Sequence, residues 1–404
     1  MPRYRLAYLV THPIQYQAPL LRTIAAEPDL DLRVFFCSDF SVGRFEEADF
    51  GREIEWDVPL LEGYKHEFLP ALAGRTRVTF WRPFNHGLSR RLATGGFDAL
   101  WIHGYARPFH WQVAAAAKRH GLKVLIRDEA TAISARRGPV KRLAKRAFFG
   151  ALRRLCDGFL AIGALNRGYY LENGIPAERI FSMPYAVDNA YFQAGAAQAA
   201  AGRAKLRAEL GLEPDRPVIL FAARFTPRKR PGDLLEAVAR LAEDPGVATP
   251  HLLFVGDGPL RPELERRAAE VGLGSVRFLG FRGQLELPAL YDLCDVFVLP
   301  SVFEPWGLVV NEAMNAGCAV VVSDRVGCGP DLVEPGVNGH LFKAGDVGAL
   351  RDALARLVAD PEACRAMGRR SLEIINRWSF REDVEGLKAA LAFVLREPQR
   401  GPPA

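Results

Sequence analysis

At 404 residues the chain exceeds what one hydrophobic core comfortably serves, so two domains are expected. With 49% apolar and 25% charged residues it is no disordered chain, and no apolar run is long enough to span a bilayer as a helix. The net charge of +6 favours acidic partners such as nucleotides, lipid phosphates or nucleic acid, although sign alone does not choose among them.

Met1-Pro2-Arg3-Tyr4 leads straight into the apolar run 6–10, without the h-region of a signal peptide, so a cytoplasmic protein is expected. That run reads as a first strand, followed by a loop in which His12, Gln15 and Tyr16 offer side-chain donors, then by a helix over 18–26. Asp29-Leu30-Asp31 has the spacing of an Asp-x-Asp metal motif, but it precedes the strand 32–36 instead of following one, so no metal is expected there. From 40 to 85 the pattern is irregular, with Arg75 and Arg77 near Trp81 and Arg82. So long a loop region in a compact domain is usually functional or a lid.

Strands over 97–102 and 123–126 end in His103-Gly104-Tyr105 and Arg127-Asp128-Glu129. Polar clusters at the carboxyl ends of parallel strands are where α/β sheets bind ligands. The helix expected over 139–155 carries an apolar stripe of Val140, Leu143, Ala144, Ala147, Phe148, Ala151, Leu152 and Leu155, which should pack on the sheet. Its other face holds Lys141, Arg142, Lys145, Arg146 and Arg153, follows Arg136 and Arg137, and places Phe149 in its middle. Such a face is either solvated or docks on an anionic membrane surface. A strand over 158–162, a helix over 166–172 and the run 180–184 follow, and the Ala/Gly/Gln run 194–202 reads as a low-complexity surface link.

The next strand, 218–222, ends in Arg224-Phe225-Thr226-Pro227-Arg228-Lys229-Arg230-Pro231 before a helix over 233–241, an arrangement that suits a diphosphate. Strand 252–255 ends in Gly256-Asp257-Gly258-Pro259, which lacks the third glycine of a dinucleotide fingerprint, so a Rossmann oxidoreductase is not expected. Strand 276–279 runs into Gly280-Phe281-Arg282. Then comes the most informative stretch: strand 295–299, a loop with Glu304, the turn Pro305-Trp306-Gly307, a helix carrying Glu312, and strand 319–322. Two acceptor-only carboxylates around a helix N-terminus suit a ligand that presents both hydroxyls and phosphates, as a sugar nucleotide does. The six cysteines lack Cys-x-x-Cys spacing, so reduced core residues are expected and no zinc site. Helices over 347–359, 361–375 and 378–395 complete the chain.

The order Ser301, Glu304, Gly307, Glu312, Ala313, Gly317 resembles the glutamate-x7-glutamate signature of glycosyltransferase family 4, retaining enzymes of the GT-B fold, and the likeness runs from about residue 185 to 342. The resemblance implies two Rossmann-like parallel-sheet domains, 1–188 on the acceptor side and 189–376 binding the nucleotide sugar, facing a central cleft. A helix over 377–397 would cross back to the first domain, ahead of a loose tail at 398–404. It also implies roles. Arg224 and Lys229 would neutralise the diphosphate in place of a metal, with backbone N–H groups near Gly307 and Leu308, and Trp306 would also bind the donor. Glu304 would hold sugar hydroxyls, Glu312 the ribose, and Phe281 and Arg282 the base, while His103 orients the sugar. His12, Gln15, Tyr16, Arg127, Asp128 and Glu129 would face a sugar or lipid-linked acceptor. No cofactor, metal or nucleic acid enters this reading, which places the protein in cell-surface polysaccharide or glycolipid synthesis, peripheral to the inner face of the plasma membrane. Two alternatives stay open: a sugar-nucleotide epimerase of the same fold, and a non-catalytic sugar-nucleotide or lipid-surface binding protein.

Overall fold

The structure, a computed structural model, describes residues 4–47, 52–72, 78–134, 138–244 and 247–396. Arg75, Arg77, Arg136, Arg137 and the tail 398–404 lie outside the described residues. The chain divides into two units, one made of residues 1–43, 59–184 and 380–404, the other of 44–58 and 185–379.

The strands in chain order are β1 (Tyr4–Val10), β2 (Leu30–Phe36), a short antiparallel hairpin of β3 (Phe45–Glu47) and β4 (Arg52–Ile54), then β5 (Lys65–Phe68), β6 (Ala99–His103), β7 (Lys123–Arg127), β8 (Gly158–Ala161) and β9 (Ile180–Ser182). The first unit is a seven-stranded parallel sheet in the order β5-β2-β1-β6-β7-β8-β9. Central strands read as unbroken apolar runs because both faces are covered: Leu6, Ala7, Tyr8, Leu9 and Val10 are all buried. Edge strand β5 is Lys-His-Glu-Phe, half exposed, and therefore carries no apolar signal.

The second unit holds β10 (Val218–Ala222), β11 (His251–Val255), β12 (Val276–Gly280), β13 (Val296–Leu299), β14 (Ala319–Ser323) and β15 (Gly339–Phe342), all parallel in the order β12-β11-β10-β13-β14-β15. Both sheets reverse strand order beside their first strand, the topological switch at which such sheets open a crevice. The chain thus has the expected α/β class with two Rossmann-like units.

The last helix, Phe380–Val394, belongs to the first unit, where it packs on β8 and β9. Gly386 makes this fit: a Cβ there would stand 1.7 Å from the Ser182 carbonyl oxygen.

Three expectations are corrected. The run 194–202 is no link: Asn189–Ala199 is a helix, capped by the Asp188 carboxylate on the Tyr191 N–H at 3.0 Å, since alanine is the best helix former. Residues 44–58 group with the second unit, outside the domain expected at 1–188. The Pro139–Leu155 helix is rotated from its expected pose: Phe149 and Leu152 are buried, whereas Val140 is 80% and Leu143 72% exposed. The aromatic residues win the inner face, Phe149 meeting Tyr105 and Tyr169 at centroid distances of 5.5 and 5.6 Å, and the alanine-rich stripe is left outside.

Candidate functional site

In the second unit the loop after β13 is knitted to the loop after β14. Glu304 N–H donates to Arg325 O at 3.0 Å, Gly327 N–H to Glu304 O at 2.9 Å and Cys328 N–H to Trp306 O at 2.9 Å. Gly327 has to be glycine for this approach, because a Cβ would sit 1.9 Å from Pro305 O. Gly307 then starts the Leu308–Asn315 helix with φ of 101°, a left-handed turn, and no side chain caps that helix. Its N–H groups therefore end next to Glu304, whose Cγ lies 3.4 Å from where a Gly307 Cβ would be.

The loop after β10 brings a cation to the same place. Lys229 Nζ donates to the Glu304 carboxylate, the two side chains being 11% and 13% exposed. Arg224 stands half-buried at the head of that loop. The glycines after β11 serve it: Cβ atoms on Gly256 and Gly258 would fall 2.1 Å from Ala223 O and 2.7 Å from Phe225 O, while Phe225 N–H donates to Asp257 O at 2.9 Å. This glycine pair seats the backbone of the Arg224 loop, a local reason for its presence that needs no dinucleotide.

Glu312 lies in the second turn of the helix and accepts from Tyr291 Oη at 2.7 Å. Burial pushes its carboxyl up to about 7, against the opposing pull of that hydrogen bond. Tyr291 was not singled out from the sequence, where it sits in an unremarkable helix. Trp306 corrects an expectation: its ring is buried, stacks on Trp378 with centroids 5.3 Å apart and donates to Asn311 Oδ1 at 3.0 Å, so only its backbone borders the site. Arg282 is also committed, to Glu286 at 2.7 Å and to Leu279 O at 3.1 Å. Phe281 is half-buried beside it.

In the first unit the ends of β1, β6 and β7 gather a second cluster. Gln17, buried and overlooked in the sequence, accepts from Tyr8 Oη at 2.9 Å and places its amide nitrogen 3.3 and 3.4 Å from the two ring nitrogens of His103. His103 Nε2 lies 3.8 Å from Glu129, which also accepts from Tyr16 Oη at 3.3 Å. His12, 2.9 Å from Thr11 Oγ1, is held down to about 4 by burial and by the His103 ring, so it is neutral at pH 7. Gln15 is half-buried in the same loop. Burial pushes the Asp128 carboxyl up, although the Ala130 N–H donates to it at 2.7 Å.

Arg127 is not an acceptor contact. It is buried and donates to Asp383 at 2.9 Å and to the carbonyls of Met183 and Pro184 at 2.8 Å, a structural anchor for the last helix. The Asp29 and Asp31 pair lies at the amino end of β2, where Lys388 and Lys65 hold the two carboxylates at 2.7 and 2.9 Å. All six cysteines are free and buried. No group of three metal-ligating side chains occurs among the described residues, and no described helix is long and apolar enough to cross a membrane.

With this geometry in place, residues 202–373 match the family described as Glycosyl transferases group 1. The chain is 37% identical over 193 residues to D-inositol 3-phosphate glycosyltransferase of Saccharomonospora viridis, covering 46% of this chain and 44% of that protein. It is 32% identical over 229 residues to the GDP-mannose-dependent alpha-(1-6)-phosphatidylinositol monomannoside mannosyltransferase of Mycolicibacterium smegmatis, covering 54% and 58%. The chain therefore spans about half the length of these curated relatives. Among solved structures, Anabaena HepE in complex with UDP and glucose is 20% identical with a TM-score of 0.69 over 97% of this chain and 100% of that one. WaaG, a glycosyltransferase involved in lipopolysaccharide biosynthesis, is 15% identical with a TM-score of 0.65 over 97% and 100%. At these identities the likeness shows the fold alone, the GT-B fold of two Rossmann-like units.

Proposed function

We propose that the chain moves a sugar from a nucleotide-diphosphate sugar to an acceptor in cell-surface polysaccharide or glycolipid synthesis, with retention at the anomeric carbon and no resident metal. The observation that carries this reading is the Lys229–Glu304 pair set against an uncapped helix N-terminus. When the bond from the anomeric carbon to the phosphate oxygen breaks, negative charge grows on the diphosphate. Lys229, Arg224 and the N–H groups at Leu308 are fixed where that charge appears, which is the usual largest electrostatic contribution to such a reaction. Glu304 then accepts from sugar hydroxyls and Glu312 from the ribose. The acceptor oxygen bonds to the anomeric carbon on the face the phosphate leaves, and its proton passes to the phosphate oxygen. In this reading no residue acts as a nucleophile.

The test is incubation with UDP-, GDP- and ADP-sugars and a panel of polyol-phosphate, glycan and phospholipid acceptors. One nucleotide should be released in an acceptor-dependent way, unaffected by EDTA, and the product should keep the donor's anomeric configuration by NMR. A new sugar nucleotide formed without acceptor would make the chain an epimerase; binding without turnover would make it a binding protein.

We also propose that the first unit works against an anionic membrane surface, because the Pro139–Leu155 helix exposes Val140 and Leu143 flanked by exposed Lys141, Arg142 and Arg146. The apolar pair inserts and the cations meet lipid phosphates, each contributing about 1 kcal/mol near the surface. Exposed Phe80, Trp81 and Phe84 on a loop of the same unit suit the interface as well. Flotation with phosphatidylglycerol vesicles should be lost in Leu143→Asp; flotation equal to wild type overturns the surface.

A further inference from the structure

The excursion 44–58 comes from the N-terminal half of the chain yet belongs to the second unit. Among its described residues, Asp57 makes polar contact with a loop of that unit. One carboxylate oxygen accepts from Gln284 N–H at 3.0 Å and the other from Leu285 N–H at 2.9 Å. Gly283 makes room for this carboxylate, since a Cβ at that position would stand 2.2 Å from Asp57 Oδ2. The three residues continue the loop that leaves β12 through Gly280, Phe281 and Arg282.

That loop is held from other sides too. Arg282 and the Gly283 N–H bond to Glu286 at 2.7 and 3.2 Å, and Tyr191 Oη donates to Gln284 O at 2.9 Å. Tyr191 links the loop to the donor site. Its ring meets Phe192 at a centroid distance of 5.2 Å, Phe192 meets Tyr291 at 6.3 Å, and Tyr291 donates to Glu312 at 2.7 Å. Asp57 therefore fixes the loop that runs into the Leu287–Asp292 helix, whose Tyr291 holds Glu312, the carboxylate assigned to the ribose.

We propose that Asp57 is a positioning residue for the loop from Phe281 to Leu285, so that recognition of the donor's nucleobase depends on a residue outside the segment 202–373 that matches the family. The proposal rests on the donor-site reading given above. A base is distinguished by hydrogen bonds at its edge, and these require backbone groups fixed to within about 0.5 Å. Two N–H donors on one carboxylate supply that fixation. Without it the loop would still close on a diphosphate-bearing ligand but would no longer discriminate its base.

Calorimetric titration of wild type, Asp57→Ala, Gly283→Ala and the double variant with UDP, GDP, ADP and inorganic diphosphate tests this. Asp57→Ala should weaken the preferred nucleoside diphosphate about tenfold, the scale of a lost charged hydrogen bond, and narrow its margin over the other two. Inorganic diphosphate should bind as in wild type. With intact donor, KM should rise by the same factor while kcat stays within about twofold. Gly283→Ala, which expels the carboxylate, should reproduce the effect, and the double variant should add nothing to it. Asp57 is exposed, so its removal should leave the melting temperature unchanged. Unchanged affinity and base preference in Asp57→Ala, or an equal loss for inorganic diphosphate, overturns the proposal while leaving the donor site standing. Wild type that binds no nucleoside diphosphate overturns both.

Discussion

Lys229 and Glu304, 75 positions apart in the chain, hold each other in an ion pair that is mostly withdrawn from solvent. The sequence suggests separate roles for them, a cation for the diphosphate and a carboxylate for the sugar. Their pairing means that each is held ready by the other, and that a bound donor has to redirect both. Lys229→Ala should lower turnover about 100-fold, the scale of removing one preorganised donor from a developing oxyanion. Glu304→Gln should act in opposite directions on two ligands. It releases the ammonium from its counter-charge, so a nucleoside diphosphate lacking the sugar should bind about tenfold tighter, the scale of one charged hydrogen bond. Turnover of the intact donor should fall. Parallel titration and steady-state kinetics on this variant check both halves.

Glu312 makes a pH prediction whose sign differs between the free and the bound protein. In the free protein its carboxyl is raised from 4.5 to about 7 by burial, so the native state binds a proton more tightly than the unfolded chain. Its contribution to stability is thus fully present below pH 4.5 and fades as pH rises through about 7. A ribose diol donates hydrogen bonds and favours the ionised carboxylate. Nucleotide affinity should therefore rise with pH through about 7, and binding near neutrality should release protons into the buffer. Melting curves with and without nucleotide between pH 5 and 8, on the order of the range where such carboxyls titrate, should show the ligand-induced shift growing with pH and that growth vanishing in Glu312→Gln.

Arg127 and Asp383 are both buried, so breaking their pair is costly in a way that removing it is not. Asp383→Ala leaves a buried guanidinium without its counter-charge and should cost about 3 to 5 kcal/mol in denaturant unfolding. Replacing both by leucine should recover only part of that loss, because the Met183 and Pro184 carbonyls then lose their Arg127 donor. Donor affinity, which depends on the second unit, should not change in either variant.

The second unit was far more legible in the sequence than the first, and particular residues say why. Its site residues lie in two unbroken strand-loop-helix units, Arg224 and Lys229 after β10 and Glu304, Gly307 and Glu312 after β13, and the only long-range step is the pairing of those two strands. In the first unit the decisive partners are distant or plain. Gln17 meets His103 across 86 positions, and Arg127 meets Asp383 across 256, so a charge at a strand end that looks poised for a ligand is used to hold a helix. Burial of Trp306 against Trp378 is likewise invisible in a motif that only orders residues along the chain. The Pro139–Leu155 helix misled because an apolar stripe counts alanine and phenylalanine alike. A packed face is chosen by buried area, and Phe149 offers far more of it than Ala144 or Ala147.

That rotation separates the cations of the helix into two kinds. Lys145 leans on the rings of Phe148, Phe149 and Tyr105, with its ammonium 4.9, 5.3 and 5.4 Å from their centroids. Aromatic faces attract a cation and repel a carboxylate, so Lys145→Glu should destabilise the first unit by about 1 to 2 kcal/mol. Lys141, Arg142 and Arg146 are exposed. Reversing their charge should leave the melting temperature within about 1 °C of wild type, since exposed substitutions are usually within about 0.5 kcal/mol. The same reversals should abolish flotation with anionic vesicles, and raising the salt should weaken wild-type flotation as it screens these charges. Lys145→Met, which removes charge but keeps apolar bulk over the rings, should float nearly as wild type does. If Lys145→Met floats as poorly as the reversals at Lys141 and Arg142, the lipid-facing side of the helix is not the one the exposed residues define.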